Sequence, residues 1–177
     1  KIEDGSTASA STPTFSEVFG RKLTDFAKED PKITAITAAM PGGTKLDIFK
    51  KELNERYFDV GIAEEHAALF ACGQACEKFR PFLTIYSTFM QRAYDMIIHD
   101  MALQSLPVRL CMDRAGLSGD DGPTHHGLFD IGYLRVVPGI IHMQAKDEDE
   151  FVDMLWTMAN HDDGPTAIRY PRGAGVG

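Results

Sequence analysis

Five short runs concentrate the side chains that can do chemistry. Gly61-Ile62-Ala63-Glu64-Glu65-His66 sets two carboxylates at the head of an Ala-rich apolar stretch. In a first helical turn such carboxylates simply complement the helix dipole. Alternatively, Glu64 faces a buried pocket, where a carboxylate needs a partner such as a protonated ring nitrogen. Tyr86, Phe89 and Arg92 come next, and Phe89 and Arg92 are three residues apart, so they share a helix face. They read either as packing beside a solvated arginine or as a stacking platform next to an anion grip. Arg114, in Asp113-Arg114-Ala115-Gly116, and Arg172, in Pro171-Arg172-Gly173, each have glycine close by. Two such guanidinium groups converging on one point would suit a phosphate or a carboxylate, which the planar fork binds well. Between them, Asp120-Asp121-Gly122-Pro123-Thr124-His125-His126-Gly127 offers Asp121, His125 and His126. Asp-x-x-x-His-His lacks the spacing of an established zinc site, so acid–base or hydrogen-bonding groups on a loop are expected here and no metal ligands are assigned.

Such groups can only cooperate if the elements carrying them converge. Thr14 followed by Glu17 predicts a capping box opening a helix with Phe15, Val18, Phe19, Leu23 and Phe26 at helical spacing. Strands are expected at Ile33–Ala38, Tyr57–Val60, Phe82–Tyr86, Val108–Met112, Ile140–Met143 and Ala167–Tyr170. Helices are expected at about 46–53, 63–79, 88–104, 129–134 and 147–160, the second buried because it is apolar on almost every side. Strand and helix alternate, which predicts an α/β fold: an open, mostly parallel twisted sheet with helices on both faces. In such sheets ligands bind outside the carboxyl ends of the strands. Every chemically interesting run follows one of these strands, so one edge should gather them all. Residues 1–13 are small and polar and read as a linker, and 14–177 as one domain. Gly173 to Gly177 ends without a capping element, consistent with a piece of a longer chain.

Composition narrows the function classes. The 177 residues carry 18 Lys and Arg against 26 Asp and Glu, a net charge of −8, which argues against a general nucleic-acid binder. A local pair of arginines is the more informative for that acidic background. No apolar stretch approaches the roughly 20 residues of a membrane span. Three cysteines, Cys72, Cys76 and Cys111, do not form a disulfide framework and point to a reducing, cytoplasmic setting. Cys72 and Cys76 are expected to be inert, and His99 and Asp100 to cap or pair on a helix surface.

Asp59-Val60-Gly61-Ile62-Ala63-Glu64-Glu65-His66, the run Ile85 to Asp95, Asp113-Arg114-Ala115-Gly116, Asp121 to Gly127 and Arg169-Tyr170-Pro171-Arg172-Gly173 together closely resemble the 1-deoxy-D-xylulose-5-phosphate synthase family. The resemblance covers nearly everything from Thr14 to Gly177, and it is to the middle, pyrimidine-binding domain of that longer enzyme. It implies condensation of pyruvate with D-glyceraldehyde 3-phosphate, with release of carbon dioxide, using thiamine diphosphate and magnesium. By residue, it implies that Glu64 hydrogen-bonds the aminopyrimidine ring, and that Phe89 stacks on it with Tyr86 and Arg92 alongside. It makes Arg114 and Arg172 the grip on the substrate phosphate. Asp121 and His125 would serve proton transfer and substrate orientation, with Tyr86 also on the substrate side. His126 departs from the glutamine expected in relatives, and Glu65 likewise replaces a common glutamine. The family's Gly-Asp-Gly and Asn pair are absent, the only asparagines being Asn54 and Asn160. Metal and diphosphate ligands are therefore expected from an N-terminal domain that this chain lacks, with a C-terminal domain and a homodimer completing the enzyme. The fragment alone should be inactive. Alternatives are a transketolase, a 2-oxoacid dehydrogenase beta chain, a noncatalytic domain that kept the fold, and a metallohydrolase on Asp121, His125 and His126.

Overall fold

A computed structural model describes residues 12–175. Six strands, β1 (Ile33–Thr37), β2 (Tyr57–Asp59), β3 (Arg80–Tyr86), β4 (Arg109–Asp113), β5 (Ile141–Met143) and β6 (Thr166–Arg169), form one sheet in the order β2-β1-β3-β4-β6-β5. Every pairing is parallel. All six strands lie where the alternation of apolar runs and turn residues predicts them, within two residues at either end.

The period of two along each strand sorts side chains to two layers. Ile36, Leu83, Ile85, Leu110 and Met112 face one side, where α3 (Glu64–Cys76), the helical segment 87–102 and α6 (Asp130–Leu134) cover them. Ile33, Ala35, Phe82, Cys111 and Ile168 face the other, under α1 (Phe15–Glu29), α2 (Leu46–Glu52) and α7 (Glu148–Asn160). The capping box forms as predicted: the Glu17 N–H donates to Thr14 Oγ1 at 3.2 Å, and the Thr14 N–H donates to Glu17 Oε2 at 3.0 Å. α1 then lays Phe15, Phe19, Leu23 and Ala27 on the sheet, with Phe19 stacked on Tyr170 at 5.7 Å.

Two expectations need correction. α3 buries one face only, through Ala67, Ala68, Ala71, Cys72 and Ala75, whereas Leu69 is 42% exposed. A crossover helix covers the sheet with one stripe, and small residues on that stripe let its backbone approach closely; beside it Phe70 packs edge-on against Phe58 at 5.0 Å. Cys72 is buried, its thiol pushed up to about 12 by burial, but Cys76 is exposed. The expected single helix over 88–104 is instead α4 (Ser87–Met90), a 3₁₀ turn at Gln91–Ala93, α5 (Tyr94–Met96) and a π turn at Ile97–Ala102. The tight and wide turns offset one another, so Met90, Ala93, Ile97 and Met101 still all reach the core.

Beyond the last strand, the chain returns to α1. The Phe15 N–H donates to the Gly173 carbonyl at 3.2 Å, and Thr14 bridges Ala174 antiparallel. Of the expected linker, only Thr12 and Pro13 fall among the described residues. At the opposite end of the strands, Arg109, wholly buried, donates to the Met158 and His161 carbonyls and to Asp162. Arg80 in turn joins Asp162 to Asp30 at 2.6 and 2.8 Å. Below this network the amino ends of β1, β3 and β4 are locked to the loop before β6.

Candidate functional site

The chain leaves β1 for the sheet's β2 edge and then crosses to β3 on the other side, so the direction of winding reverses between β1 and β3. That is where an open α/β sheet leaves a crevice. After β1, Pro41-Gly42-Gly43 brings the backbone under Tyr86, the last residue of β3. A Cβ on Gly43 would sit 1.6 Å from the Tyr86 hydroxyl, so only glycine allows this approach.

From there a continuous run of contacts joins the predicted residues. Glu64, first residue of α3, is 2% exposed and accepts a hydrogen bond from Arg92 Nη1 at 2.6 Å. Arg92, whose side chain is 49% exposed, lies over the Phe89 ring at 4.9 Å. Phe89 stacks against Tyr86 at 6.1 Å and meets the edge of His125 at 5.3 Å. The Arg114 guanidinium covers Tyr86 at 4.1 Å and donates to the Gly43 carbonyl at 2.6 Å. Its Nε comes within 3.6 Å of Asp121 Oδ2, and Arg172 Nη1 donates to Asp121 Oδ1 at 2.9 Å. Glu64, Tyr86, Phe89, Arg92, Arg114, Asp121, His125 and Arg172, drawn from separate crossovers, thus share one rim.

The electrostatics follow from this crowding. Tyr86 is pushed up, chiefly by burial and against the pull of Arg114. Asp113, completely buried at the end of β4, is raised to about 6 by burial, with Arg114 and the Ser16 hydroxyl opposing. Arg114 Nε and Asp121 Oδ2 are buried without a hydrogen-bond partner, two polar atoms facing each other across the rim.

The loop carrying Asp121 and His125 is held at its base and across its middle. Gly116 and Gly127 exchange backbone hydrogen bonds at 2.8 Å. A Cβ on Gly127 would collide with Ser87 at 2.5 Å. Buried Asp130 takes Arg169 Nε at 2.8 Å, and Arg169 Nη2 donates to the Gly127 carbonyl at 3.3 Å. His126 Nδ1 accepts the Ser118 N–H at 3.0 Å, while Ser118 Oγ donates to the His125 carbonyl at 2.7 Å. His126 is therefore a fastener of the loop, which gives the unexpected residue at that position a physical account. His99 pairs with Asp95 on the helix surface at 2.8 Å. Among the described residues, no group of three or more His, Cys, Asp or Glu side chains is placed to hold a metal ion.

Sequence reasoning missed Gly43, Asp113, Asp130 and Arg169 as site supports. A Gly-Gly pair directly after the strand at the winding reversal was the available signal for the first. For Asp113, the signal was a carboxylate as the last residue of a strand otherwise apolar enough to be buried.

Comparison with known proteins bears on the family and the fold. The family model described as transketolase, pyrimidine binding domain, matches residues 11–176. A 1-deoxy-D-xylulose-5-phosphate synthase of Acidobacterium capsulatum is 62% identical over 175 residues, covering 99% of this chain and 28% of that protein. The synthase of Methylacidiphilum infernorum is 61% identical over 173 residues, covering 98% of this chain and 27% of that one. The chain therefore spans little more than a quarter of the length of these curated relatives. Among solved structures, a split-gene transketolase, described as an inactive beta4 tetramer, superposes with a TM-score of 0.81 at 27% identity over 94% of this chain and 53% of that one. A transketolase from Pichia stipitis in complex with sedoheptulose 7-phosphate shares the fold, with a TM-score of 0.80 at 17% identity over 93% of this chain and 26% of that one. With its whole described length inside the matched span, the chain belongs to the transketolase pyrimidine-binding domain family.

Proposed function

We propose that this chain is the pyrimidine-binding domain of a thiamine diphosphate-dependent synthase. In this reading the whole enzyme condenses pyruvate with D-glyceraldehyde 3-phosphate to carbon dioxide and 1-deoxy-D-xylulose 5-phosphate, a step that opens a non-mevalonate isoprenoid route and also feeds thiamine and pyridoxal synthesis. The observation that carries the reading is the unbroken run of contacts from Glu64 to Arg172 along one rim. Identity of about 60% to synthases, against 27% to a split-gene transketolase, favours the synthase over its relatives.

The residues suit the pyrimidine half of the cofactor. Glu64 is a buried carboxylate whose one charged partner, Arg92, can turn out to solvent. Phe89 offers a ring whose face is covered by that same guanidinium. Thiamine diphosphate, when bound, supplies the electron sink that decarboxylation of a 2-oxo acid requires. Glu64 holds a ring nitrogen and its proton by a charge-assisted hydrogen bond in a site of low dielectric. Phe89 fixes the ring plane, with Tyr86 and Arg92 at its borders. Arg114 and Arg172 grip the acceptor's phosphate, and Asp121 sets the distance between them. His125 shares its Nδ1 with Thr124 Oγ1 at 2.9 Å, which leaves Nε2 to hold or pass a proton at the substrate's oxygen.

Magnesium and diphosphate ligands belong, in this reading, to an N-terminal domain of the parent chain. A C-terminal domain follows 14–177, residues 1–13 serve as linker, and two copies associate as a cytoplasmic homodimer. Exposed Leu69 on α3 and exposed Phe79 just beyond its end support burial against further protein. The description of the split-gene transketolase beta chain as inactive supports the expectation that this chain alone does not turn over. Full-length parent enzyme, given pyruvate and glyceraldehyde 3-phosphate, should release carbon dioxide and form the five-carbon product; the isolated chain should not. Ketol transfer between sugar phosphates without pyruvate consumption would refute the reading in favour of a transketolase.

A further inference from the structure

Arg114 owes its aim to the residue before it. We propose that Asp113, held by Ser16 of α1, is a positioning residue that ties up one edge of the Arg114 guanidinium and leaves the other edge for the acceptor's phosphate. The proposal rests on the reading of Arg114 as a phosphate grip.

Arg114 is in the left-handed region, with φ of 58°, at a turn where its side chain must fold back over the rim. Asp113 Oδ1 accepts the Arg114 backbone N–H at 2.7 Å and lies 3.1 Å from Arg114 Nη1. Its other oxygen, Oδ2, accepts the Ser16 hydroxyl at 2.7 Å. One carboxylate thus fixes both the unusual backbone and the head group of the same arginine. Nη1 also donates to the Gly43 carbonyl, and the Tyr86 ring supports the guanidinium from below.

The consequence is a division of the fork. Nη1 is committed to Asp113 and Gly43, whereas among the described residues neither Nε nor Nη2 donates a hydrogen bond, and buried Nε has only the looser ion pair with Asp121 Oδ2 at 3.6 Å. The Nε–Nη2 edge is one of the two edges of a guanidinium that accept an anion bidentately. It faces Asp121 and, beyond it, Arg172. α1 sets both sides of this grip. Ser16 anchors Asp113, and one residue earlier the Phe15 N–H holds the Gly173 carbonyl beside Arg172. Without the Asp113 charge, Nη1 turns toward the anion, the head group rotates, and the two arginines lose their shared focus.

The test uses the full-length enzyme with Asp113→Asn, Ser16→Ala and, as reference, Arg114→Lys. KM is measured for glyceraldehyde 3-phosphate, for unphosphorylated glyceraldehyde and for pyruvate, alongside the melting temperature. Asp113→Asn should raise KM for the phosphorylated acceptor about tenfold, the scale of a disturbed hydrogen bond to a charged group. The other two KM values should stay within about twofold, and Ser16→Ala should shift the same constant in the same direction by a smaller factor. A merely structural role would move all three constants together, and that result overturns the proposal. A flat response to Asp113→Asn with a raised constant in Arg114→Lys overturns the positioning role alone; flat responses in both overturn the phosphate reading as well. If Asp113→Asn does not fold, Ser16→Ala decides, and an unchanged acceptor KM there overturns the proposal.

Discussion

Replacing Glu64 by Gln separates catalysis from stability. The carboxylate is almost completely buried and contacts Arg92 Nη1 at 2.6 Å, an arrangement that suggests a costly loss. Breaking a fully buried pair costs about 3–5 kcal/mol because it strands the surviving charge. Here the survivor would not be stranded: half of the Arg92 side chain is already in solvent, and it can keep its seat on Phe89 or rotate into water. The pair therefore behaves energetically like a surface bridge, worth about 1 kcal/mol or less. Gln also keeps the volume and an acceptor oxygen for Arg92. The unfolding transition of Glu64→Gln should thus lie within a few degrees of wild type. Turnover is a different matter, because an uncharged amide cannot hold a ring nitrogen together with its proton. Loss of such a proton-holding group costs about 100-fold to 10,000-fold in rate. Carbon dioxide release from pyruvate and glyceraldehyde 3-phosphate by the full-length variant, with its melting curve measured in parallel, checks both halves. Turnover within about threefold of wild type would refute the reasoning. So would a loss of activity matched by a collapse in melting temperature, since Glu64 would then be a structural pillar.

Gly43→Ala drives a methyl group into the Tyr86 hydroxyl, and relief requires Tyr86 to leave Phe89 and Arg114, so a loss of about 1–3 kcal/mol by urea denaturation is expected, partly restored by adding Tyr86→Phe. Arg169→Met leaves Asp130 buried without its cation and should cost about 3–5 kcal/mol, with faster amide exchange at Gly127 as the loop base loosens. Stability should also carry a signature of Asp113, which sits against Arg114, Ser16, Tyr86 and Tyr170. Its folded value of about 6 lies above the usual 3.8, so the native state holds the proton more tightly; its contribution is full below about pH 4 and falls away as pH rises through 6. Wild type should therefore lose about 2–3 kcal/mol across that window relative to Asp113→Asn, and parallel pH profiles of the two would contradict this.

Most of the fold was legible because its signals are local. The strands are short runs rich in apolar residues, β1, β2, β4 and β6 being closed by nearby Gly, Pro or Asp, and the capping box at Thr14 and Glu17 is written within three positions. The convergence of the rim was legible too, since parallel strands put all their carboxyl ends on one edge. What escaped depends on packing between distant segments. That α3 covers the sheet with one stripe cannot be read from a helix that is apolar all round. The 3₁₀ and π turns in 87–102 leave the apolar spacing intact and so leave no periodic trace. Asp113 and Arg169 stand within recognised motifs, but their partners, Ser16 and Asp130, lie 97 and 39 residues away.

The ion network of Arg109, Asp162, Arg80 and Asp30 sits at the far end of the same strands whose other ends bear the rim. A protein engineer inherits from this a handle and a business end that do not interfere. Thermal tolerance can be raised or lowered there, or a fluorophore tethered, while discrimination between substrates stays as evolution left it.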